Sequence, residues 1–197
     1  MAKRPLTDAP EVEVASRDAL RDWLAGNQDR ATGVWLVTYK RADPDRYLPY
    51  DAIVEECLSF GWVDSLPRAK DDSRGMLWIA PRKPGSNWSR ANKDRVERLE
   101  AAGLMTEAGR AAVARAMADG SWTALDAVEA LEVPPDLAAA FDARPPARAN
   151  WDAFPRSVRR GVLERILSAK RPETRAARID EVARLAADNR RPFQWRG

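Results

Sequence analysis

The sequence predicts an α+β fold: a small antiparallel sheet with packed helices in the N-terminal part, followed by an all-helical C-terminal region. Two observations predict it. Short runs rich in β-branched and aromatic residues, bounded by turn residues, occur only before residue 86, and from Ser86 onward each segment repeats its apolar residues at the helical period. A third observation sets the scale. A chain of 197 residues with 45% apolar content can bury enough surface to fold without disulfides or metal.

The first helix is expected from Ser16 to Ala25, with Ser16 as its cap, Leu20, Trp23 and Leu24 on one face, and Gly26 with Asn27 at its end. Val34 to Lys40 then reads as a strand. Both of its faces are apolar, as an interior strand requires. Asp43-Pro44-Asp45 makes a turn, and Pro49 opens a helix to Ser59 whose buried stripe is Ile53, Val54, Cys57 and Leu58, with Asp51, Glu55 and Glu56 toward water. Phe60 to Ser65 and Met76 to Ala80 complete the strands, joined through the polar stretch Lys70 to Arg74. Ser89 or Asn87 caps the next helix, which carries Val96 and Leu99 inward and stops at Gly103. Thr106 starts another, with Ala112, Val113, Ala116 and Met117 on one face and Gly120 at its end. A short helix follows over Thr123 to Leu131, and Pro155 and Pro172 each open a helix of a terminal hairpin. This organisation divides into an α+β unit over 1–85, a helical extension over 86–132, a proline-rich connection with short helices over 133–154, and a basic helical hairpin over 155–197.

Composition excludes whole classes of chemistry. The chain has no histidine and a single cysteine, so Ser-His-Asp, Cys-His and zinc sites of the finger or deaminase kind have no ligand set. Neither a dinucleotide fingerprint nor a phosphate-binding glycine loop is present. We expect no cofactor, no metal and no catalytic constellation. The lone Cys57, the absence of a leader-like apolar run and the absence of a membrane-length apolar stretch lead us to expect a cytoplasmic protein. Charge is uneven: residues 142–197 hold 14 basic against 7 acidic residues, while the remainder holds 19 against 23. Because Arg171, Arg175 and Arg178 border an apolar arc and no Asn or Gln reads bases beside them, we expect core-covering arginines and no specific nucleic-acid binding, weak non-specific binding through the basic C-terminal helices being a second alternative.

Two clusters could hold a ligand. Pro81 to Asn92 runs from a strand into a helix, where free N–H groups favour an anion; Arg82, Lys83 and Arg90 add charge, Ser86 and Ser89 hydroxyls, and Trp88 an apolar wall. Phe60 to Ser65 brings Trp62 and Asp64 to a strand end, and Lys40 closes the first strand. The ligand-binding candidates are therefore Lys40, Trp62, Asp64, Arg82, Ser86, Trp88, Ser89 and Asn92, with a small anionic ligand or a protein partner as occupant. A rival reading is a histidine-free enzyme using Asp64 or Tyr50 with Lys40 or Arg82.

Gly33 to Leu36, Phe60 to Ser65, Pro81-Arg82 with Ser86 to Asn92, and Gly103 to Thr106 with Gly109 resemble the YdeI / OmpD-associated family. Trp151 to Pro155 and Ser168 to Arg175 resemble the helical segment behind that family's bacteriocin-protection label. The resemblance implies a YjbR/CyaY-like α+β fold and an association with envelope stress or bacteriocin tolerance. It implies no catalytic residues, and Ser65 departs from the glycine common at that position in relatives.

Overall fold

The computed structural model describes residues 8–193. These divide into two compact units between Ala124 and Leu125. The first contains β1 (Glu11–Glu13), α1 (Arg17–Ala25), β2 (Val34–Tyr39), α2 (Tyr50–Ser59), β3 (Trp62–Ala69), β4 (Arg74–Pro81), α3 (Arg90–Ala101) and α4 (Glu107–Ala118). The second contains α5 (Asp126–Glu129), α6 (Pro135–Asp142), α7 (Ala147–Ala153), α8 (Arg156–Leu167) and α9 (Pro172–Ala187). The fold is α+β.

The sheet order is β1-β2-β4-β3. Strands β2, β4 and β3 are antiparallel, but β1 pairs parallel with β2, so the sheet is mixed where an antiparallel one was expected. The Glu-Val-Glu of β1 carries no strand signal of its own; only its pairing with Trp35 to Val37 makes it a strand. Strands β3 and β4 also outrun their apolar stretches. Residues 66–69 are polar or exposed and pair through the main chain alone, so no side-chain pattern marks them. The irregular register between Asp64 and Pro67, with a proline in an edge strand, blunts that edge against further strand addition.

One face of the sheet is covered by α1 and α2: Leu20, Leu24, Ile53 and Cys57 bury against Val34, Leu36, Leu77 and Ile79. The opposite side of α2 offers Val54 and Leu58 to Trp88, Val96, Leu99, Met105 and Ala116, so α2 lies between the sheet and the α3–α4 pair. Because α2 is enclosed on both sides, Glu56 is not a solvent-facing residue as its helical position suggested. It is 1% exposed and binds Arg17 at 2.6 Å and Arg21 at 2.8 Å, while Arg21 also donates to the Leu104 carbonyl at 3.0 Å. Met117 departs in the other direction: it is 58% exposed, because α4 buries Gly109, Ala112 and Ala116 instead.

Caps follow the sequence closely. The Ser16, Ser89 and Thr106 side chains accept the N–H groups of Ala19, Asn92 and Gly109, and Pro49 is the residue before α2 with no side-chain cap. In the second unit, α6 and α7 supply Leu137, Phe141 and Trp151 to a core shared with Val162, Leu163 and Ile166 of α8 and Ile179, Val182 and Ala183 of α9. The short helices of 133–154 are thus structural members of that core.

Candidate functional site

The end of β2 and the adjoining parts of β3, β4 and α2 enclose a cleft of about 670 Å³. Its lining comes from the end of β2, the loop after it, the first turn of α2, and facing parts of β3 and β4. Buried Leu48, Ile53 and Leu77 make an apolar floor, and Tyr39, Tyr47 and Tyr50 stand around it. Lys40 and Arg41 bring positive charge to this lining and Asp64 negative charge, and Arg68 borders it with its guanidinium turned toward Trp35.

Each charged group is positioned by a specific contact. The Lys40 ammonium donates to the main-chain carbonyls of Asp71 and Asp72 at 2.8 and 3.2 Å, which ties the end of β2 to the β3–β4 turn. Arg41 donates to the Tyr47 hydroxyl at 3.3 Å, and Arg68 lies 6.0 Å over the Trp35 ring on the sheet's other face. None of these three cations forms a salt bridge with a carboxylate among the described residues. Asp64 accepts the Tyr50 hydroxyl at 2.6 Å. Burial first, and that bond second, push the Tyr50 phenol up to about 12, so it keeps its proton at neutral pH.

The eight sequence candidates separate into four places. Lys40 and Asp64 line the cleft. Trp62 is enclosed in the core beneath α1 and α2, edge-on to Trp23 at 5.5 Å. Trp88 lies in a different core, between α2 and the α3–α4 pair, so the two indoles share no wall. Arg82, Ser86 and Trp88 border a second, much smaller chamber of about 10 Å³. Ser89 is spent on capping α3, and the Asn92 side chain accepts from Arg95 at 3.2 Å. Sequence reading passed over Arg41, Tyr47 and Arg68. Tyr39 to Tyr50 holds three tyrosines and three basic residues within twelve positions, a signal that could have been found; Arg68 arrives only through pairing of β3 with β4.

Buried Cys57 is no alternative centre, since burial pushes its thiol far above the ordinary range. Among the described residues no helix is long and apolar enough to cross a membrane, and no group of three or more His, Cys, Asp or Glu could hold a metal ion.

Residues 12–112, just over half of the chain, match a family model described as "Domain of unknown function (DUF8412)". The chain belongs to that family. The match contains the sheet, the cleft and the motifs around Trp62 and Trp88. Residues 130–189 match a second model, "Bacteriocin-protection, YdeI or OmpD-Associated", which supports the resemblance read from Trp151 to Pro155 and Ser168 to Arg175. No curated protein and no solved structure gave a match.

Proposed function

We propose that this protein is a non-enzymatic binder of a small anionic ligand, held in the cleft between β2, β3, β4 and the start of α2. The observation that carries the reading is that Lys40, Arg41 and Arg68 border an apolar-floored cleft of about 670 Å³ with no carboxylate paired to any of them. Cations that outnumber the one carboxylate, Asp64, around a concave apolar surface favour an anion with an organic body. The test is a panel of carboxylates and phosphates followed by thermal shift and tryptophan fluorescence, Trp35 beneath Arg68 being the local reporter. We expect saturable binding by at least one class, weakened tenfold or more in Lys40→Ala and Arg68→Ala. A panel that moves neither signal rejects the reading.

The Tyr50–Asp64 hydrogen bond favours one other reading, a histidine-free enzyme working through Asp64. A phenol that holds its proton to about 12 is suited to orienting a carboxylate and poorly suited to exchanging protons at neutral pH. Turnover of any cleft ligand that disappears in Asp64→Asn would establish the enzymatic reading.

The wider setting belongs to the same proposal: a cytoplasmic protein with a YjbR/CyaY-like α+β unit, linked to envelope stress or bacteriocin tolerance. The description of the matched C-terminal model supports the last point. A strain lacking the gene should become more sensitive to bacteriocin, and Lys40→Ala should fail to restore tolerance. For the basic helices we propose no sequence-specific nucleic-acid binding, because Arg175 is engaged by Asp136, Arg160 by Glu129 and Arg144 by Asp180. Anisotropy titrations with two unrelated duplexes at physiological salt should show negligible binding to either.

A further inference from the structure

The small chamber beside Arg82 carries a buried charge that no carboxylate meets in a salt bridge among the described residues, although Asp64 acts on it through space. Arg82 is 8% exposed. Its guanidinium donates to the Asn87 carbonyl at 3.0 Å and lies 3.8 Å over the Trp88 ring. The Arg82 Nε–H is buried with no partner, and so is the Nε1–H of Trp88, which is 0% exposed. Two buried donors on stacked side chains, one of them charged, are each costly to leave unpaired.

Asp119 borders the same chamber and would be the obvious counter-ion. It is committed elsewhere: Oδ1 accepts the Ser121 N–H and Oδ2 the Gly85 N–H, each at 2.9 Å. The Ser121 side chain first, then the Ser121 and Gly85 N–H groups, hold its carboxyl below the usual range, so it stays ionised in that role. Lys83 and Arg115 line the chamber as well, giving three cations against this one carboxylate. Burial draws Arg82 down to about 10, which still leaves it charged at neutral pH.

We propose that this chamber binds one desolvated monovalent anion of halide size, chloride under ordinary conditions, between the Arg82 Nε–H and the Trp88 Nε1–H. The space of about 10 Å³ corresponds to a single small occupant, which excludes phosphate, sulfate and any carboxylate ligand. A water molecule would fit, but it would satisfy the donors without neutralising the charge. The anion acts as an internal staple. Arg82 N–H also bonds the Gly61 carbonyl at 2.9 Å, so the ion steadies the junction of β4, the turn before β3 and the loop leading into α3.

The experiment compares thermal midpoints of the full chain in sodium chloride and in sodium methanesulfonate at fixed ionic strength and pH 7. The parent should show a saturable rise of a few degrees with chloride, and bromide should reproduce it. Trp88→Phe keeps the ring and removes the N–H; Arg82→Met keeps the stem and removes the charge. Both should lose the chloride-specific rise, and the parent's broadening of the chloride-35 resonance should fall in Trp88→Phe. If Arg82→Met does not fold, the Trp88→Phe comparison decides alone. A parent with no chloride dependence at constant ionic strength overturns the proposal in favour of water. A dependence that survives in Trp88→Phe overturns it in favour of an ion bound elsewhere.

Discussion

Replacing Gly109 with alanine should destabilise the protein, although the same change in an open helix stabilises. In an unhindered helix interior, Gly→Ala is worth about 0.8–1 kcal/mol of added stability. Gly109 is different because α4 crosses the end of α2 at the closest approach its backbone allows. A Cβ there would stand 2.3 Å from the Ser59 carbonyl oxygen and 2.8 Å from the Met105 methyl. The methyl can swing away, but the carbonyl cannot: Ser59 O already accepts the Thr106 N–H at 3.1 Å and the Thr106 hydroxyl at 2.6 Å. Relief requires α4 to retreat by roughly 1 Å, to an ordinary carbon contact. That retreat loosens both Thr106 bonds, each worth about 1 kcal/mol, and adds an overpacking cost of about 1–3 kcal/mol. Less the propensity gain, Gly109→Ala should cost about 2–4 kcal/mol. Gly161 is the matched control. It lies within α8, and a Cβ there meets nothing within 4 Å, so Gly161→Ala should gain about 0.5–1 kcal/mol. Urea denaturation followed by far-UV circular dichroism measures both against the parent. A Gly109→Ala variant as stable as the parent would refute the close-approach argument.

Glu56→Gln should cost about 2 kcal/mol in the same assay, below the roughly 3–5 kcal/mol of a fully buried pair, because the released Arg17 and Arg21 keep a third of their surface in water; Arg17→Gln alone should cost less, since Arg21 remains. Met117→Lys should change stability by less than about 0.5 kcal/mol, whereas Ala116→Lys, one position earlier and buried, should prevent stable folding. Stability should fall on acidification, and Asp71 is one source. Hydrogen bonds, from the Arg74 guanidinium above all, hold its carboxyl well below its ordinary value of 3.8. Its contribution is present in full above that value and is lost as pH falls from there through the lowered native one. Asp71→Asn should therefore flatten the acid limb of a stability-against-pH curve, and an unchanged limb would count against the bond geometry at the β3–β4 turn.

The sequence by itself determined what is local. Ser16, Ser89 and Thr106 announce helix starts because a short oxygen-bearing side chain before an apolar-periodic run satisfies the first free N–H groups. The apolar stripes of α1 and α2 and the two-faced β2 follow from periodicity, and the lack of histidine removes much of ordinary catalysis before any coordinate is seen. Lys40 and Asp64 were also legible as candidates, one just after β2 and the other in the Phe60 to Ser65 motif that opens β3. Tertiary structure alone decided which strands are neighbours, and hence that Arg68 joins Lys40 and Asp64 at one cleft, since cross-strand pairing over long separations leaves no trace in spacing. It decided that Trp62 and Trp88 belong to two different cores, because an indole's environment depends on which helix covers it. It also reversed Glu56 and Met117. A helix packed on one side reads correctly from its moment, but α2 is covered on both sides, and α4 docks through glycine and alanine, whose small size permits a close approach that hydrophobicity does not signal.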